Sequence, residues 1–96
     1  MPYFAVFSKL TDDGAKTILR NPERIKEVNR EIEEKGVKVI AQYVILGDYD
    51  FLNIVEAPDE TTLLRVLVDL NSRGTIRTST YRLIPVDEFI SAMKGE

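Results

Sequence analysis

Residues 37–57 read Val-Lys-Val-Ile-Ala-Gln-Tyr-Val-Ile-Leu-Gly-Asp-Tyr-Asp-Phe-Leu-Asn-Ile-Val-Glu-Ala, two apolar runs joined by a short polar turn. β-Branched and aromatic residues crowd both runs, and Gly47 and Asp48 tolerate the left-handed backbone of a tight turn. The stretch therefore reads as a β-hairpin, one strand from Val37 to Leu46 and its partner from Phe51 to Ala57. A two-residue turn at Asp48-Tyr49 pairs Gly47 with Asp50, and a four-residue loop pairs Leu46 with Phe51, which is the same register. That register sets Val44 opposite Asn53 and Gln42 opposite Val55 on one side of the sheet. Tyr43 then faces Ile54, and Ile45 faces Leu52, on the other side.

Upstream, Tyr3 to Leu10 is rich in aromatic and β-branched residues and reads as a strand. Thr11 suits a helix N-cap, and Asp12 and Asp13 place negative charge at the positive end of the helix. Ala15, Ile18, Pro22, Ile25 and Ile32 recur at helical spacing as far as Lys35. Asn21-Pro22 predicts either a kink or a restart, with Asn21 as a second cap and Pro22 at the first helical position. Gly36 closes the segment. Downstream, Pro58-Asp59 ends the third strand and caps a second helix from Glu60 to about Arg73, closed by Gly74. Thr75 to Ile84 reads as a fourth strand stopped by Pro85, and Val86, Phe89, Ile90 and Met93 mark a short terminal helix.

The order β-α-β-β-α-β plus a tail predicts an α+β, ferredoxin-like domain spanning residues 1–96. Two helices lie on one face of a four-stranded antiparallel sheet in such a fold. Helices on one face leave the other bare, yet the first strand is apolar on both sides. Phe4 and Val6 lie on one, and Tyr3, Ala5 and Phe7 on the other. The second strand behaves likewise, whereas a sheet with one wet face alternates cleanly. A second copy packed sheet to sheet resolves this, giving a homodimer of the dimeric α+β barrel kind. Leu64 and Val68 widen the apolar arc of the second helix beyond one core stripe, which extends the expectation to a higher oligomer.

Composition narrows the chemistry. The 96 residues contain no Cys, His or Trp, which excludes disulfides, thiolate nucleophiles, histidine-ligated metals and His-dependent triads. No cofactor and no metal site is expected. Thirteen basic and sixteen acidic residues, spread along the chain, give a net charge of −3 and no basic stripe for nucleic acid. No apolar run reaches the roughly twenty residues of a membrane span, and the N-terminus lacks the build of a signal peptide. A cytoplasmic protein follows as the expectation.

Four stretches resemble the GYD-domain family, small proteins of the dimeric α+β barrel superfamily. They are Phe7-Ser8-Lys9-Leu10-Thr11, Asn21-Pro22-Glu23-Arg24-Ile25-Lys26-Glu27-Val28-Asn29, Leu46-Gly47-Asp48-Tyr49-Asp50-Phe51 and Gly74-Thr75-Ile76-Arg77-Thr78. The hairpin and third strand are also similar to the RAM ligand-binding domain of leucine-responsive regulators, where a Gly-x-Tyr-Asp turn opens a strand near an effector site. That resemblance implies that Gly47, Tyr49 and Asp50 lie beside a small ligand. The regulators' DNA-binding helix-turn-helix segment has no counterpart here. Other relatives in the superfamily are cofactor-free monooxygenases and isomerases.

The candidate site residues are Tyr43, Gly47, Asp48, Tyr49, Asp50, Asn53 and Arg77. Asp50 is an acceptor for an ammonium or hydroxyl donor, though Gly47 to Asp50 also has a sufficient explanation as a turn. Gln42 and Asn53 are amides on inner strands, which need partners when buried and otherwise turn toward ligand or water. Arg77 suits a carboxylate or substrate anion, and Tyr43 offers a hydroxyl to a pocket. The mixed-charge run from Glu23 to Lys35 reads as a solvated helix face. Two readings follow. One is an oligomeric ligand-binding or regulatory module with a small-molecule metabolite as partner. The alternative is a cofactor-independent monooxygenase or isomerase with a pocket between sheet and helices, Asp50 serving as general base.

Overall fold

The computed structural model describes residues 1–95, and in it the hairpin anchors a single antiparallel sheet. The strands are β1 (Tyr3–Leu10), β2 (Lys38–Val44), β3 (Phe51–Glu56) and β4 (Ile76–Leu83), arranged in the order β2-β3-β1-β4. The helices are α1 (Asp12–Arg20), α2 (Arg24–Glu34), α3 (Glu60–Ser72) and α4 (Val86–Lys94). This is the α+β, ferredoxin-like arrangement expected from the sequence, with α1 to α3 over one sheet face and α4 as the tail.

The local signals act where the sequence places them. The Thr11 hydroxyl accepts from the Gly14 N–H at 3.1 Å, and the Asp59 carboxylate accepts from the Thr62 N–H at 2.7 Å. Both therefore satisfy a donor that the helix itself leaves open. Gly36 and Gly74 end α2 and α3 with φ of 96° and 78°, a backbone region in which a Cβ is strained. At Asn21-Pro22 the chain restarts rather than kinks. Asn21 closes α1 through its N–H to the Thr17 carbonyl, and Glu23, not Asn21, occupies the N-cap of α2.

The hairpin register differs from the expected one. Gln42 faces Asn53, Tyr43 faces Leu52 and Val44 faces Phe51. The Ile45 N–H closes on the Asp50 carbonyl at 2.7 Å, so Leu46 to Tyr49 form a four-residue loop. Its cause lies in the neighbouring strand. The Asp50 N–H donates to the Ser8 carbonyl at 2.8 Å, and the Leu10 N–H donates to Asp50 Oδ2 at 2.8 Å. Asp50 is thus committed to β1 and is withdrawn from a two-residue turn. The slip is even, so every side chain keeps its expected face until an irregularity between Val39 and Ala41.

Phe4, Val6, Ile32, Val37, Val55, Ala57, Leu63 and Val66 form the buried core between sheet and helices, with Val28, Val39, Leu67 and Leu70 packed against it. The opposite face carries Tyr3, Ala5, Phe7, Ala41, Tyr43, Leu52, Ile54, Tyr81 and Leu83, as the strand pairings require. Ala5 is buried and Tyr49 packs on Phe7, but the flanks of that face stay open: Tyr43 is 59% and Tyr81 is 56% exposed. The tail helix does not seal it either. None of the residues of α4 is buried, and its apolar positions Val86, Phe89, Ile90 and Met93 all face solvent.

Candidate functional site

A cavity of about 350 Å³ lies between the helix side of the sheet and α1 to α3. Its floor is built by strand alternation: Val6, Ser8 and Leu10 of β1, Phe51, Asn53 and Val55 of β3, and Thr78 of β4 share one face. Its roof comes from Ile18 of α1, Val28 and Ile32 of α2, and Leu63, Leu67 and Leu70 of α3. Most of the lining is aliphatic, and the polar atoms fall into a few groups.

Two of these groups are internally satisfied. Asn29 and Gln42 exchange reciprocal amide hydrogen bonds of 2.9 and 3.2 Å, tying α2 to β2. Asn71 Nδ2 donates to Thr78 Oγ1 at 2.9 Å, and the Thr78 N–H donates to Asn71 Oδ1 at 3.3 Å, tying α3 to β4. Asn53 is different: its Oδ1 is shielded from solvent and accepts no hydrogen bond. Thr80 Oγ1 is also buried without a partner, but Thr80 does not line the cavity. A buried acceptor left alone costs about 1–3 kcal/mol.

The rim carries charge. Arg24 Nη1 bonds Glu27 Oε1 at 3.1 Å and Glu31 Oε1 at 3.3 Å. Arg73 Nη1 bonds Glu31 Oε2 at 2.7 Å, and its Nη2 bonds Asp69 Oδ2 at 2.9 Å. Lys35 adds a second cation to Asp69 at 3.1 Å. The Arg73 hydrogen bond holds the Glu31 carboxyl below its ordinary range, and the Lys35 hydrogen bond does the same for Asp69. Glu31 thereby straps α2 to the end of α3. Among the described residues, Arg24 and Arg73 are the only ionisable side chains lining the cavity.

The structure distributes the seven candidate residues over four places. Asn53 alone lines the cavity. Asp50 sits in the hairpin with its carboxylate on the Leu10 amide, and Gly47 and Asp48 are exposed at the loop tip. Tyr49 packs against Phe7 with ring centroids 5.4 Å apart, and Phe7 in turn meets Tyr81 edge to face at 5.8 Å. Tyr43 lies on the same outer face. Arg77 reaches back to the carbonyls of Asn71 and Ile76 at 3.2 and 3.3 Å. Sequence reasoning missed Ser8, Asn29, Arg24 and Arg73. A signal existed for two of them: Ser8 interrupts an apolar strand face, and Asn29 stands between Ile25 and Ile32 on the inward stripe of α2. Nothing local distinguishes Arg24 and Arg73 from surface arginines.

Comparison with known proteins agrees with this architecture. The GYD domain model matches residues 4–93. The chain belongs to the GYD domain family. Among its relatives is a Thermus thermophilus protein called glutamine synthetase and cystathionine beta-lyase binding protein. It is 55% identical over 95 residues, which are 98% of this chain and 100% of the relative. Two crystal structures share the fold. MtbAldR superposes with a TM-score of 0.63 at 21% identity over 88% of this chain, which spans about half (52%) of that protein. TTHA0845 from Thermus thermophilus superposes with a TM-score of 0.56 at 22% identity, over 88% of this chain and 95% of the other.

Proposed function

We propose that this GYD chain is a small cytoplasmic binding module that pairs with a second copy through the outer sheet faces and docks on metabolic enzymes. The observation that carries the reading is the outer face, where Tyr3, Tyr43 and Tyr81 stand exposed beside Phe7, Leu52 and Ile54. Contiguous apolar surface of this kind marks protein interaction sites. Two copies related by a two-fold axis bury the same patch on each other, which yields the dimeric barrel. The exposed faces of α3 (Leu64, Val68) and α4 (Phe89, Met93) then remain for a further partner. A glutamine synthetase and a cystathionine beta-lyase are the first partners to try, by likeness to the Thermus relative. The test is size-exclusion chromatography with light scattering, first on the chain alone and then mixed with each purified enzyme. A dimer and a co-eluting complex are expected. A monomer at tens of micromolar, or separate elution from both enzymes, overturns the proposal.

The geometry supports binding better than oxygenase or isomerase chemistry. Among the described residues lining the cavity there is no carboxylate and no phenol, so no general base faces its interior. Asp50, the base that the sequence offers, spends its carboxylate on the β1 backbone. The cavity is suited to holding a small molecule rather than moving its protons.

A further inference from the structure

We infer that the cavity between sheet and helices is a site for an uncharged, largely apolar small molecule whose carbonyl oxygen accepts hydrogen bonds from Ser8 and Asn53. This deepens the binding reading by naming a ligand class. It uses the face of the sheet opposite the docking surface, so the two can fail separately.

Three observations carry the class. The first is a polar band across an otherwise aliphatic floor. Ser8 stands opposite Thr78, Asn53 stands opposite Gln42, and Ser8 and Asn53 are diagonal neighbours across β1 and β3. The ends of the band are occupied: Gln42 exchanges hydrogen bonds with Asn29, and Thr78 with Asn71. The middle is free. Ser8 is only 5% exposed and lines the cavity, yet its hydroxyl bonds no group of the described chain. The second observation is the polarity of that middle. Asn53 packs its Oδ1 out of reach and leaves its Nδ2 donor open, with no acceptor in the described chain. The group that answers both Nδ2 and the Ser8 O–H is a carbonyl oxygen, whose two lone pairs take two donors. The third is volume and charge. An aliphatic hole of about 150 Å³ takes one benzene ring. The volume of about 350 Å³ here, walled by Val28, Ile32, Leu63 and Leu67, accommodates a two-ring body. Each cavity-lining arginine already holds two carboxylates, Arg24 those of Glu27 and Glu31, Arg73 those of Glu31 and Asp69. An anionic ligand would have to displace one of these or bury its charge among aliphatic side chains, while a ketone does neither.

The test uses three bicyclic probes of similar shape: 1-indanone with its carbonyl, indane without one, and indane-1-carboxylate with a charge. Binding is followed by amide chemical shifts in ¹⁵N-labelled protein, and the folding of each variant by its melting temperature. Indane reports the aliphatic walls alone, so the ratio of indanone to indane affinity isolates the hydrogen bonds. Asn53→Leu is expected to lower that ratio about tenfold, the worth of one buried hydrogen bond, and the smaller change Ser8→Ala about threefold. Indane itself should bind both variants at least as well as the wild type. A purely structural Asn53 or Ser8 would move the melting temperature and both affinities together, leaving the ratio alone. Val28→Phe, which fills the roof, is expected to abolish binding of both probes. The carboxylate is expected to bind the wild type more weakly than the ketone. Absence of indanone binding by the wild type, a wild-type ratio in either floor variant, indanone binding that survives Val28→Phe, or tighter binding of the carboxylate each overturns the inference.

Discussion

Asp50 shows how one residue can look like chemistry and act as architecture. Its position after Gly-Asp-Tyr suggests a ligand acceptor, yet its carboxylate accepts the Leu10 N–H at 2.8 Å, and its own N–H donates to Ser8. Together these bonds extend the β1–β3 pairing past the last regular pair and set the hairpin register. A hydrogen bond to a charged group contributes about 1.5–3 kcal/mol, and its removal leaves the partly buried Leu10 amide unanswered. Asp50→Ala is therefore expected to lower unfolding free energy by about that amount in urea titration, with an unchanged m-value, and Asp50→Asn by less because an acceptor remains. A wild-type midpoint for Asp50→Ala would show that water replaces the carboxylate. The register was not legible in the sequence for this same reason. Turn propensity favoured a two-residue turn, and nothing local reported that a strand forty positions upstream competes for Asp50. The facing of the side chains was legible, because strand alternation depends only on parity.

Between elements, two contacts decide how the helices sit over the cavity. Gly14 lies buried where α1 meets the chain entering β4, and a Cβ there would stand 2.0 Å from the Thr75 carbonyl oxygen. That carbonyl is held in place by the Thr11 N–H at 3.0 Å. Gly14→Ala must therefore push α1 off the sheet. The expected cost is about 1–3 kcal/mol despite the gain in helix propensity, measurable as a fall in melting temperature. The second contact is the strap of Glu31, Asp69, Lys35 and Arg73, to which the Asp59 cap of α3 adds a third lowered carboxyl, held down by the Thr62 backbone N–H. All three carboxyls ionise more readily folded than unfolded. Their contribution is complete above the unfolded values near 4 and is lost as pH falls through the lower folded values. Melting temperature should thus be flat from pH 7 to about 5 and fall below about pH 4. The Glu31→Gln, Asp69→Asn double variant should start lower and fall less steeply. Caps and stops at Thr11, Gly36, Asp59 and Gly74 were legible because each acts within a few residues. The strap was not: Glu23 to Lys35 reads as a solvated face, and only the approach of α3 turns part of it into a rim.

For the whole molecule, the proposed pairing rests on shape and surface. The radius of gyration is 14.8 Å. A compact chain of this length is expected near about 12.5 Å. The long dimension of 52 Å against 29 and 19 Å belongs to a flat body, and its tail helix buries none of its residues. The two-sided strands motivate the same proposal from the sequence, where polarity and geometry disagree: a face that helices cannot reach is apolar all the same. The outer-face variant Tyr43→Asp, Tyr81→Asp separates an interface from a folding element. Both rings are more than half exposed in the single chain, so their loss removes little packing within it. Buried in a two-fold interface, each replacement appears twice, and like carboxylates are forced together without water. The variant is expected to keep the far-ultraviolet circular dichroism of the parent while sedimenting as a monomer. Its melting temperature should no longer rise with protein concentration, as that of a dimer must by mass action. If parent and variant sediment alike as dimers, the pairing runs through another surface, and α4 with Phe89 and Met93 becomes the next place to cut.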